Sequence, residues 1–149
     1  MKNLIQNSNW CREGNAMPEC FSGSGMTYDN FCICGCRTCS VSIPAESLMV
    51  ANCLYDPDLA ICGQCRLAWG CQIRAIEPGC IKLVAEFYDC CDRHINCCEC
   101  EIGQRVTSDF TMQMAHFSVP CGAAKARLSI QFSGKVTACT LFAPTAYFC

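Results

Sequence analysis

Nineteen of the 149 residues are cysteine, and thiols at that density can pair into disulfides, hold a metal ion as thiolates, or act as nucleophiles. They are Cys11, Cys20, Cys32, Cys34, Cys36, Cys39, Cys53, Cys62, Cys65, Cys71, Cys80, Cys90, Cys91, Cys97, Cys98, Cys100, Cys121, Cys139 and Cys149. Their share exceeds the roughly 8–10% that marks a disulfide scaffold, so covalent cross-linking is the leading reading. An odd count leaves at least one without an intrachain disulfide partner. Cys11 and Cys149, close to the chain ends, are with Cys20 the candidates for bridges between subunits, because chain ends are usually exposed. Cys71 falls on the apolar side of its segment and is expected in the core.

Spacing sets the alternatives. Cys36-x-x-Cys39 and Cys62-x-x-Cys65 are spaced as in zinc ribbons, where two intervening residues let both thiolates reach one tetrahedral ion. Apolar strand-like flanks argue against that use, so no metal is favoured and these four form the alternative site of a zinc or iron protein. Cys62-Gly63-Gln64-Cys65 lacks the following helix that would lower a thioredoxin-type thiol pKa. Cys32, Cys34 and Cys36 at a spacing of two share one face if the segment is a strand, about 6.6–7 Å apart, too far to bond to one another. The neighbours in Cys90-Cys91 and Cys97-Cys98 are expected to send their sulfurs to different partners.

No cysteine is marked as a nucleophile by a positioned base. Only two histidines exist, His94 and His116, expected as a solvated and as a surface or packed residue. Asp56, Asp58, Asp89 and Asp92 are carboxylates without calcium-ligand spacing and read as solvated loop residues. No catalytic residue and no cofactor is expected, and the chain reads as a non-enzyme.

The elements that must position these groups are strands. Leu67, Trp69, Cys71, Ile73 and Ala75 alternate with polar or small residues over Cys65–Ile76, a period of two. After the breaker Glu77-Pro78-Gly79, Ile81, Leu83, Ala85 and Phe87 alternate with Lys82, Val84, Glu86 and Tyr88, and the two segments are expected to form an antiparallel hairpin. Ala126–Phe132 and Val136–Phe142 add strands around the turn Ser133-Gly134. Further strands are expected at Leu4–Trp10, Met26–Cys34, Thr38–Ile43, Leu48–Leu54, Phe110–Val119 and Thr145–Phe148. Asp89–Gly103, holding Cys90, Cys91, Cys97, Cys98 and Cys100, is expected as a cysteine-rich loop. Trp69 and Phe87 belong to apolar faces, whereas Trp10, Tyr28 and Tyr147 are the aromatics expected at the surface for ligand stacking.

The fold class is therefore all-β, a jelly-roll-like antiparallel β-sandwich rich in disulfides, organised as one domain over residues 1–149 with short terminal segments free for intersubunit contacts. Net charge is −2 and Lys and Arg are scattered, which disfavours nucleic acid as a partner. The start has no apolar run of a signal peptide and no stretch reaches about 18 apolar residues, so neither secretion signal nor membrane span is expected.

Asn3-Leu4-Ile5-Gln6-Asn7, Val41-Ser42-Ile43-Pro44-Ala45, Phe87-Tyr88-Asp89, Phe117-Ser118-Val119-Pro120-Cys121-Gly122-Ala123 leading into Ala124–Phe132, and the closing Ala146-Tyr147-Phe148 resemble carbohydrate-binding-module-like jelly rolls. They also resemble such domains on spore-surface proteins of endospore-forming bacteria. The resemblance implies a structural or adhesive role, in a protein made without a secretion signal and oxidised after release. The expected function is a non-enzymatic subunit that self-assembles into a disulfide-cross-linked extracellular or spore-surface layer or fibre. Its partners would be copies of itself, other surface proteins or glycans. The alternative is a monomeric carbohydrate-binding module stabilised by internal disulfides.

Overall fold

The computed structural model describes residues 2–11 and 17–149. The chain is all-β, with two antiparallel five-stranded sheets packed face to face. The strands are β1 (Phe21–Ser24), β2 (Met26–Ile33), β3 (Cys36–Ile43), β4 (Ala51–Ala60), β5 (Arg66–Arg74), β6 (Cys80–Tyr88), β7 (His94–Glu101), β8 (Thr111–Ser118), β9 (Lys125–Ser133) and β10 (Val136–Phe148). The first sheet runs β1-β4-β9-β6-β7 and the second β2-β3-β10-β5-β8.

Two-residue periodicity explains the layers. Leu67, Trp69, Cys71 and Ile73 of β5 are buried, as are Leu83, Ala85 and Phe87 of β6 and Leu128, Ile130 and Phe132 of β9, all in one core cluster. Burying a large apolar side chain stabilises by about 1.5–3 kcal/mol, so this row is the main reason the sheets pack. Trp69 also donates its indole N–H to the Ser129 carbonyl at 3.1 Å, tying the second sheet to the first.

The expected hairpin of the segments 65–76 and 81–88 does not form. β5 lies between β10 and β8, and β6 between β9 and β7, so neither has a free edge for the other. Glu77-Pro78-Gly79 does reverse the chain, but it carries it from one sheet to the other. The crossing is anchored by Ile76 N–H to Thr137 O at 3.0 Å and Thr137 N–H to Glu77 O at 2.8 Å.

Other boundaries move for local reasons. Leu4–Trp10 is not a strand: Asn7 and Trp10 have positive φ of 55° and 56°, which bends the chain. Residues 48–50 lie outside β4, which instead continues through Asp56 and Asp58. Those two are strand rather than loop carboxylates. The two strands expected at 136–142 and 145–148 are one, β10, with a register shift between Phe142 and Thr145. Cys34 (φ 52°) and Gly35 (φ 82°) make a two-residue turn between β2 and β3. Cys32, Cys34 and Cys36 therefore do not line one face.

The largest correction concerns Asp89–Gly103. Only residues 89–93 turn; His94–Glu101 is β7, the edge of the first sheet, with Ala85 opposite Cys98 and Leu83 opposite Cys100. Cys98 and Cys100 pack against the core cluster while Cys97, Glu99 and Glu101 alternate with them on the exposed side. Cysteine behaves here as a small hydrophobe completing a period-two pattern. No disulfide joins any of the described cysteines, so the expected cross-linked scaffold is a thiol-rich one in this structure.

Candidate functional site

The outer face of the first sheet carries a row-by-row array set by strand register. Asn52, Gln131 and Lys82 align across β4, β9 and β6, followed by Leu54, Ser129 and Val84, with Glu99 of β7 beside Val84. The next row places Arg127 beside Glu86 and Glu86 beside Cys97, and Tyr88 closes the array against Lys125. Two shallow depressions lie along this face. One of about 260 Å³ includes Asn52, Cys80, Lys82 and Gln131 in its lining. The other, about 270 Å³, includes Leu54, Asp56, Glu86, Arg127 and Ser129.

The polar groups brace one another. Lys82 pairs with Glu99 at 3.0 Å and Arg127 with Asp58 at 2.9 Å. The Arg127 guanidinium also lies 4.4 Å from the centre of the Tyr88 ring, a cation–π geometry. Tyr88 donates its hydroxyl to Glu86 Oε2 at 3.1 Å. Desolvation, then the Glu86 hydrogen bond and charge, push the Tyr88 hydroxyl pKa up, against an opposing pull from Arg127. The tyrosine thus stays a neutral donor at physiological pH, its ring held at an angle by Arg127 on one side and His94 on another, 5.3 Å away edge-on. A half-exposed ring flanked by a carboxylate and a guanidinium can stack on an apolar ligand face while its neighbours hydrogen-bond hydroxyls.

The aromatics singled out from sequence lie elsewhere. Trp10 is 0% exposed, packed edge-on to Phe21 with ring centres 5.6 Å apart and held by the Tyr28 hydroxyl, which donates to its carbonyl. Its expected surface role is corrected: the turn at Asn7–Trp10 folds the indole inward, where it buries more apolar area than any other residue type could. Tyr28 and Tyr147 are half-buried. Tyr88 was missed as a site residue, although the alternation of β6 puts it on the outer face, away from Phe87.

The thiols range from fully buried to exposed. Cys39, Cys53, Cys71 and Cys139 are buried. Cys62, Cys65, Cys90, Cys91, Cys121 and Cys149 are exposed and gather at one end of the sandwich. Backbone hydrogen bonds knit that end together: Val119 N–H to Cys65 O at 2.8 Å, Cys149 N–H to Arg66 O at 3.1 Å, Ile61 N–H to Ala124 O at 2.9 Å and Ala124 N–H to Tyr88 O at 2.8 Å. Cys11 is exposed and Cys20 half-buried, its Sγ 3.8 Å from Gln6 Oε1. Of the zinc-ribbon candidates, Cys39 is in the core while Cys62 and Cys65 sit in the exposed β4–β5 loop, and Cys36 faces Asn9 at 3.4 Å. Asp56 accepts from Ser22 at 2.6 Å, Asp89 is held by Arg93, and Asp92 pairs with Lys125. His94 and His116 are exposed.

No family model matches the chain, and no curated protein matches it. Solved structures match its fold. The carbohydrate-binding module TmCBM61, in complex with β-1,4-galactotriose, superposes with a TM-score of 0.61 at 10% identity over 100% of both chains. A CBM4 module superposes at 0.56 with 12% identity, over 97% of this chain and 99% of that one. The enzymatically active domain of bacteriophage CBA120 tailspike protein 4 gives 0.64 at 16% identity, over 99% of this chain and 20% of that one. The chain thus spans about a fifth of that tailspike domain. It also spans 26% of the α-L-arabinofuranosidase MgGH51.

The fold is a jelly-roll β-sandwich. The jelly roll is shared with carbohydrate-binding modules, and the two depressions lie on one of its two outer sheet faces.

Proposed function

We propose that the chain is a non-catalytic, single-domain carbohydrate-binding module acting outside the cell, with a glycan lying across the outer face of the first sheet. The observation that carries the reading is the Tyr88 ring beside Glu86 and Arg127, at one end of an array that continues through Ser129, Gln131, Asn52 and Lys82. Such an array matches an oligosaccharide, whose ring faces stack on aromatic groups and whose hydroxyls pair with amides and carboxylates. The solved modules of like fold, one of them holding β-1,4-galactotriose, support it. Calorimetric titration with glycans identified on an array tests it. Tyr88→Ala is expected to weaken binding tenfold or more, about 1.4 kcal/mol, while Tyr147→Ala leaves it unchanged. Equal affinity of Tyr88→Ala and the parent would remove this sheet face from consideration.

A second reading, a self-assembling subunit cross-linked through disulfides at an extracellular or spore surface, draws on the exposed thiols at one end of the sandwich. Its test is a denaturing gel run with and without reductant after alkylation. A covalent ladder lost in Cys11→Ala and Cys149→Ala supports it; monomer in both lanes removes it.

A further inference from the structure

The turn between β6 and β7 holds two thiols side by side. The Cys90 and Cys91 sulfurs are 4.0 Å apart, both exposed. In extended backbone, adjacent side chains point to opposite faces, as Cys97 and Cys98 do in β7. Here the turn brings them together, contrary to the expectation of separate partners. Asp89 is the clamp: its Oδ1 accepts from Cys91 N–H at 2.8 Å and Arg93 N–H at 2.9 Å, and its Oδ2 accepts from Arg93 Nε at 3.0 Å. Asp89 N–H to Arg93 O at 2.9 Å closes the turn, and Asp92 within it takes a positive φ of 61°.

We infer that Cys90 and Cys91 form a two-thiolate chelate for a soft, thiophilic cation. With a metal–sulfur bond of about 2.3 Å, sulfurs 4.0 Å apart subtend about 120° at the metal, between tetrahedral and linear. Thiolate sulfur selects copper(I)- and zinc-class ions over magnesium or calcium. A direct disulfide fits less well. Adjacent Cα atoms across a trans peptide are about 3.8 Å apart, below the roughly 4.4–6.8 Å that disulfides adopt. Both Asp89 oxygens are occupied by the turn, and Asp92 is paired with Lys125. Solvent or a second ligand therefore completes the ion's shell.

Each thiol enters as S–H and leaves as thiolate, so one divalent cation releases two protons. A binding step that releases protons strengthens as pH rises.

Cadmium(II) is the probe, titrated into the fully reduced protein against a competing chelator, read by the sulfur-to-cadmium charge-transfer band and by protons released. Cys90→Ser and Cys91→Ser are each expected to lose one tight equivalent and at least tenfold in affinity. Cys121→Ser, a control thiol at the same end, should titrate as the parent does. Retention of parental stoichiometry in the Cys90→Ser/Cys91→Ser double variant overturns the inference. So does a loss in Cys121→Ser equal to that in Cys90→Ser, since the ion would then sit elsewhere. Unchanged far-ultraviolet circular dichroism in each variant establishes that the fold is intact.

Discussion

The four buried cysteines and the six at the loop end are the same chemical group in opposite surroundings. Cys39, Cys53, Cys71 and Cys139 fill places in the sandwich where an aliphatic residue would serve; Cys62, Cys65, Cys90, Cys91, Cys121 and Cys149 meet water. Burial pushes the thiols of Cys53 and Cys139 up to about 12 from 9.0, with neighbouring Cys71 and Asp56 adding to the Cys53 shift, and Cys71 moves in the same direction. An inert hydrophobe and a solvent-accessible thiol are thus distinguished by location alone. A count of cysteines, however high, does not separate them.

The largest expected effect tests the interior. A thiol that stays protonated in the folded state and ionises in the unfolded one stabilises the fold fully below about pH 9. That contribution falls away between about pH 9 and about 12, by about 1.4 kcal/mol per pH unit for each such thiol. Urea unfolding across that range should show a steep alkaline loss of stability, shallower in Cys139→Ala by one thiol's share. An identical slope in that variant would break the contrast. Next in size is Cys71→Ser, which places a hydroxyl where the residue is 0% exposed; about 1–3 kcal/mol should be lost on denaturant unfolding. The smallest effect belongs to the loop end, where Cys121→Ser should change stability by under about 0.5 kcal/mol. Native alkylation followed by mass measurement sharpens the same point: all six end thiols should label before any of the buried four. Labelling of Cys71 at the rate of Cys121 would mean that the core opens on the same timescale.

The opposite end of the sandwich contrasts with the thiol end in a second way. Leu48 is 100% and Ile76 68% exposed there, with Met49 and Val50 alongside. Residues 48–50 look in sequence like the beginning of an apolar strand. They remain outside β4 because the pairing with β9 begins at Ala51 opposite Phe132.

Sequence alone determined the class of element and much of the core. The alternation in β5, β6 and β9 identified Leu67, Trp69, Ile73, Ile81, Leu83 and Phe87 as inward, because a strand's side chains change face at every residue whatever it pairs with. The same alternation carried Tyr88 to the outer face, so part of the candidate site was legible too. What only the tertiary structure decided was neighbourhood. A period of two does not name the strand alongside, and so the hairpin expected of β5 and β6 became a crossing between sheets. Nor does it reveal positive φ at Trp10 or Cys34, whose side chains do not favour a turn, while at Asn7 and Asp92 the residue type permits one without requiring it. Those turns bury Trp10 and bring Cys90 to Cys91. Trp10 is held by Tyr28, 18 residues further on, whereas Asp89 and Arg93 close the Cys90–Cys91 turn within four residues; a two-residue period records neither.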